Sequence, residues 1–324
     1  MNKRTRNLSE KNKELLTSGF FSAPASQFED FDQNIWLNFA TFATNITLEH
    51  FQANLTQLSI YDVLTLIGKL RFDLSEIQNH QVKNNNLFGA WRNNETGSNF
   101  LSLKNAIKKN RQLDTNSSFD VKTFHDFYSK SSSFFDDIKS NLETSRSLDN
   151  RGIRVRKPST LESKLIIDFL KQNEGFKVTP ETFYEVATFV NFAFIDTGPN
   201  DSEQVFTSYY FTDNLKPYFL ISDHPQPDFF KAFIKDRLDL IFLDCINPAL
   251  PGQEKLHCIA ELVWFGHQLM PFQRGTASVF LILTAALLIH NSIAVKPYPG
   301  VRLDIDALSL SKKLFVQKFI ENYA

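Results

Sequence analysis

Cysteine is nearly missing from this chain: 2 residues in 324, Cys245 and Cys258. Two isolated thiols exclude a disulfide scaffold and a cysteine-rich zinc module, and suit buried thiols in a reducing compartment. Methionine (2) and glycine (11) are also scarce. Charge of one sign is lacking too. The formal net charge is -1, so no global field recruits nucleic acid or an acidic membrane. No long hydrophobic run is present. The longest, Ala277 to Ile289, falls short of the roughly 20 residues a bilayer requires and reads as a buried core helix. The basic start Met1-Asn2-Lys3-Arg4-Thr5-Arg6 has no apolar stretch behind it, which excludes a conventional secretory signal.

What is present is a globular composition, 42% hydrophobic and 22% charged, with 33 phenylalanines. Abundant Phe, Asn and Lys point to an AT-rich bacterial genome. The length suits one large domain or two ordinary ones. Residues 1–20 read as a polar tail. Residues 21–150 read as a helical domain, with helical spacing in Phe28–Phe72 and Phe119–Leu148 around a polar Asn/Ser-rich loop near 76–118. Asp62 sits where a carboxylate suits a helix start. Residues 151–158, basic and ending in Pro158, read as a linker and domain boundary.

Residues 159–324 read as a second helical domain. Ser159 or Thr160 starts a helix ending near Gly175, and Thr179-Pro180-Glu181 starts another that runs to about Ile195. Val205–Tyr210 and Tyr218–Ile221 are β-branched and aromatic and read as a β-hairpin. A short helix from Pro227 to about Lys235 follows, then Leu238–Cys245 as a strand or buried extension. Glu254 to Asn291 reads as helix, tight turn, helix, and Asp306 to Tyr323 as a last amphipathic helix. The fold class is therefore mainly α: a helical N-terminal region plus a helical C-terminal domain carrying a small β-hairpin.

The turn Pro271-Phe272-Gln273-Arg274-Gly275-Thr276 is the segment most suited to chemistry. A turn that opens a helix collects unpaired N–H groups and the positive end of the helix dipole. Arg274 adds a cation, Thr276 and Ser278 add hydroxyls, Gly275 permits close approach, and Phe272 offers a ring. These five residues form the expected phosphate or nucleotide site. His257 and Glu261, one helical turn apart, and His267 near the helix end are the candidate acid–base residues. A third ligand at useful spacing is missing, so no metal site is assigned to them. Each residue also has a plainer role: a dipole partner for His267, an ion pair for Glu261, and core packing for Phe272 and Trp264.

Pro271-Phe272-Gln273-Arg274-Gly275 resembles the Pro-Phe-x-x-Gly part of the Fic/Doc motif, which lies at the join of two helices. The hairpin at Val205–Ile221 precedes it, as the flap of that fold does. The resemblance covers at most residues 159–324. It implies a Fic-like site in a bacterial effector, with a nucleotide and magnesium as cofactors. The departures imply a degenerate relative. Met270 stands at the position of the catalytic His and Arg274 at that of the metal-holding acid. Thr276, Ala277 and Ser278 replace Asn-Gly-Arg.

Two functions follow. The first is an effector-type transferase that moves a phosphate-containing group, nucleotidyl or related, onto a host protein. The second is a non-catalytic helical protein that docks on a partner. A hydrolase using Asp304, Asp306 or the carboxylates near Asp223 ranks last. Both leading readings expect a protein partner, no nucleic acid and no membrane span. Both place the chain in the cytoplasm or, without a conventional signal, inside a host cell. The oligomeric state stays open.

Overall fold

The computed structural model describes residues 15–16, 18–21, 33–53, 58–78, 88–92, 227–273, 275–298 and 303–324, together with the backbone of five strands. The chain divides into two compact units. One comprises Met1–Arg92, Lys231–Leu308 and Lys312–Ala324, and the other Asn93–Phe230 with Ser309–Ser311. The expected linker at 151–158 falls inside the second unit.

The first unit is helical. Helix α1 (Gln33–Ala53) buries Trp36, Ala40, Ala43, Thr44, Thr47 and Phe51, three or four residues apart, as an amphipathic helix must. Thr44 and Thr47 return their hydroxyls to the carbonyls of Ala40 and Ala43, at 2.7 and 2.8 Å, so neither is left unpaired in the interior. Helix α2 (Ile60–Gln78) starts behind Ser59. The Ser59 hydroxyl donates to Asp62 Oδ2 at 2.7 Å and accepts from the Asp62 N–H at 3.1 Å, so Asp62 does stand at a helix start. A second cap comes from far along the chain: Asp239 Oδ1 accepts from the Ile60 N–H at 2.7 Å.

After α3 (Pro227–Phe233) the helix widens through a π-turn segment, Ile234–Leu238, and continues as α4 (Asp239–Ile246). The expected strand or buried extension at Leu238–Cys245 is thus helical. Its Ile241, Phe242, Cys245 and Ile246 are buried and its Leu240, Leu243 and Asp244 exposed, a period near 3.6 that a short apolar run conceals. Helices α5 (Gly252–Leu269) and α6 (Thr276–His290) form the expected pair. Helix α6 is apolar on nearly every side, which is stable only inside a core, and α1, α2, α4 and α5 all pack against it. The expected last helix is two: α7 (Leu303–Ser309) and α8 (Lys312–Tyr323), the second packed on α5. Cys245 is buried and Cys258 half-buried, both as free thiols. Burial pushes the Cys258 thiol up to about 11, so it stays protonated at neutral pH.

The second unit contains a five-stranded antiparallel sheet in the order β1-β5-β4-β3-β2. The strands are β1 (Asp120–Thr123), β2 (Arg154–Arg156), β3 (Ala187–Phe194), β4 (Gln204–Thr212) and β5 (Phe219–Asp223). The expected hairpin is β4–β5, with Tyr210 opposite Ile221. Three strands were not expected. β3 replaces the end of the helix drawn from Thr179 to Ile195: Thr188, Phe189, Val190, Phe192 and Phe194 are strand-forming types, and β4 supplies the ladder. β1 replaces the start of the helix drawn at Phe119–Leu148, and β2 occupies the expected linker, pairing Val155 with Val190. Both edge strands carry charged residue types, Asp120 and Lys122 or Arg154 and Arg156, which discourage edge-to-edge association. The helix expected from Ser159 or Thr160 to near Gly175 lies outside the described residues, as does most of the polar tail.

Gly266 sets the approach of α5 to α6. A Cβ at this position would overlap the Phe280 ring. Gly266→Ala is therefore expected to destabilise the protein by about 1–3 kcal/mol, and a Phe280→Leu change in the same chain should restore part of the loss. Urea unfolding midpoints of the single and double variants test this, and an unchanged midpoint for Gly266→Ala would show that another residue sets the spacing.

Candidate functional site at the α5–α6 join

The join is held by a short extended segment, residues 88–92, that runs beside it. The Arg92 N–H donates to Pro271 O at 2.8 Å, and the Gln273 N–H donates to Ala90 O at 2.9 Å. Trp91 and Phe272 form an isolated antiparallel bridge. Arg92 Nε also donates to Met270 O at 2.7 Å. This clamp holds Met270 in the left-handed region (φ 45°, ψ 58°), where a β-carbon costs roughly 1–2 kcal/mol. Glycine makes the close approach possible. Gly89 sits at φ +72°, and a Cβ there would run into the Gly68 carbonyl of α2.

Phe272 is fully buried. Its ring lies 4.6 Å from Trp91, which stacks in turn on Tyr61 at 4.8 Å and 11°. It packs as a core wedge, the plainer of the two roles expected for it. Gly275 takes φ +83° at the N-cap of α6 and, being glycine, supplies no side-chain cap. Thr276 is buried in the first turn. The Ser278 hydroxyl is already engaged: it donates to Gly275 O at 2.8 Å and accepts from Arg71 Nε at 3.2 Å. It therefore has no proton to offer a ligand. Arg274 lies outside the described residues.

Arg71, from α2, is the residue that sequence reasoning missed. It is only 8% exposed, with its guanidinium 4.4 Å from the Phe88 ring centroid and 5.9 Å from that of Trp36. Burial lowers its pKa to about 10, which still leaves it charged at neutral pH. Nη1 is buried and meets no hydrogen-bond partner. The only local hint was an arginine on an otherwise apolar helix face. That it meets Ser278, 207 residues later, is a tertiary fact.

His257 and Glu261 are not brought to the turn. His257 precedes Met270 by 13 residues, about 20 Å along the helix at 1.5 Å per residue. Its side chain is 53% exposed, 3.7 Å from Glu261, and Glu261 is paired with Lys312 of α8 at 2.8 Å. That ion pair joins α5 to α8. Trp264 is fully buried. His267 is buried in the last turn of α5, its Nδ1–H donating to Val263 O at 2.8 Å and its ring 5.6 Å from Phe280. The join also does not fit magnesium. Arg274 stands where the Fic/Doc motif has its acid, and no carboxylate occurs among the described residues from 88 to 92 or from 270 to 278. Among the described residues, no group of three or more His, Cys, Asp or Glu could hold a metal ion.

Of the carboxylates in the hydrolase reading, Asp306 serves structure. Asp306 is buried, and its Oδ2 accepts from Lys318 Nζ and, at 3.0 Å, from the Tyr298 hydroxyl. The Tyr298 phenol is pushed well above its ordinary range, first by burial and then by Asp306.

Residues 216–323 match a family model, AvrB_AvrC, described as avirulence protein. The segment spans 108 of the 324 residues, from just before β5 to the end of α8, and includes the α5–α6 join. This likeness supports an effector-like bacterial protein. No curated protein sequence matches the chain. Among the described residues no helix is long and apolar enough to cross a membrane.

Two variants test these placements. Phe272→Ala should destabilise the protein by about 3–5 kcal/mol, as expected for an aromatic core residue; a variant that unfolds like the parent would return Phe272 to the ligand site. Lys318→Met should cost about 3 kcal/mol by stranding the Asp306 carboxylate. Chemical denaturation at neutral pH measures both, and a loss below about 0.5 kcal/mol for Lys318→Met would mark its ion pair as an ordinary surface contact.

Proposed function

We propose that this chain is an effector-like protein that binds a phosphate-bearing ligand at the α5–α6 join and acts on a protein of its host. The observation that carries the reading is the N-terminus of α6. A left-handed Gly275 opens a 15-residue helix and, as its N-cap residue, has no side chain to cap it, which suits the first N–H groups to an anion. The clamp from residues 88–92 fixes the turn in advance, so little ordering is required when the ligand arrives. The avirulence-family likeness of residues 216–323 supports the effector half of the proposal.

Between transfer and binding, the described side chains favour binding. Met270 stands in place of a base, His267 is packed on Phe280, and His257 with Glu261 is remote from the turn. A transferase reading requires a base from the partner or from the ligand itself. In the binding reading, ligand occupancy of the join prepares a surface for a partner protein.

Thermal unfolding of the full chain with ADP, GTP and UDP-sugars, each with magnesium and with chelator, tests the proposal. A ligand at 100 times its dissociation constant should add about 2.7 kcal/mol. The stabilisation should persist in chelator, because no carboxylate at the described part of the join holds magnesium. Absence of a shift with every ligand would remove the phosphate site and leave only partner docking.

A further inference from the structure

The most unusual buried group in the helical unit is Arg71. Cations inside proteins are normally paired, since an isolated one is costly to desolvate. Arg71 is 8% exposed, yet its Nη1 meets no partner. It is not randomly placed. Nε donates to Ser278 Oγ at 3.2 Å, which ties the guanidinium to the first turn of α6, and its stem passes beside Gly275. The Phe88 ring, at 4.4 Å, covers one face. Ser278 is itself held by Gly275 O at 2.8 Å, which orients the hydroxyl toward Arg71.

We propose that Arg71 is the charged ligand of the anion site at the N-terminus of α6, with Nη1 taking one oxygen of a phosphate group and backbone N–H groups of the first helical turn taking others. The inference rests on the phosphate reading of the join and assigns its principal cation. Arg71 lies outside residues 216–323 and outside the segment that resembles Fic/Doc, so neither likeness implies this role. A fixed arginine fork suits an oxyanion better than a mobile lysine. Ser278 acts through Arg71, as a positioning residue.

The test is calorimetric titration of the full chain with inorganic pyrophosphate and with ADP, in chelator, alongside thermal unfolding of the unliganded protein. Arg71→Met, similar in volume and uncharged, should lose at least about tenfold in affinity for both probes. Its unliganded melting temperature should hold or rise, because the unpaired buried charge is gone. Arg71→Lys keeps the charge but not the fork, and should fall between. Equal affinity for the two probes would identify a free oxyanion as the ligand, and much tighter ADP binding a nucleotide; either supports the site. Parental affinity in Arg71→Met, with binding lost in Arg274→Ala, overturns the role of Arg71 and leaves the phosphate reading intact. Absence of binding by the parent overturns both. Should Arg71→Met fail to fold, parental affinity in Arg71→Lys is the result that overturns the inference.

Discussion

A helix that is apolar on every side has no stable place except inside other helices, and α6 is such a helix. Its burial organises the helical unit. α1, α2, α4 and α5 pack around it, and Gly266 brings α5 close to the Phe280 ring. Polar groups are tolerated only where their bonds are closed locally, as with the Thr284 hydroxyl on Phe280 O at 2.6 Å. At its far end, Asn291 Nδ2 donates to both Cys245 O and Leu287 O, at 2.8 and 2.9 Å, and fastens α6 to α4.

The near end of α6 meets a different requirement. It cannot be sealed by apolar packing, since its first N–H groups need acceptors. The N-cap residue Gly275 has no side chain to cap them, and Arg71, with an unpartnered buried Nη1, sits beside the first turn, two features that each cost stability. Both become favourable with an anion between them. The left-handed Met270 adds to the same local cost and is held by Arg92. Strain and unpaired polarity gathered at one point, inside an otherwise well-packed unit, support the proposed anion site better than any single residue does.

The helix pair and its turn were legible because their signals are local: an apolar run, a Pro-Phe…Gly turn and a Gly in position to open a helix. Asp62 at the start of α2 and the β4–β5 hairpin were legible for the same reason. What was misread depended on partners. Residues 187–194 carry helix-compatible apolar spacing and strand-forming side chains, and β4 decides between them. α4 was short enough for its period to be ambiguous. His257, Glu261 and His267 formed a plausible group on paper, yet helix geometry separates the first two from the turn and packing buries the third. Arg71 and residues 88–92 were invisible, because their meaning comes from contacts about 180–210 residues away in sequence, a range that residue periodicity does not reach.

The helical unit is discontinuous: residues up to Arg92 and residues from Lys231 onward build it together, with the other unit's sequence between them. During synthesis α1 and α2 therefore emerge long before α6 exists. Phe51, Val63 and Ile67 are buried in the finished unit, and the part of their cover that α6 supplies arrives only when residues 276–290 are made. Ile60 waits for Asp239, and Arg71 for Ser278. Such long-range closure slows folding and prolongs the exposure of sticky helices. Until α6 is in place, a newly made chain of this order presents the apolar faces of those helices to whatever else in its surroundings can cover them.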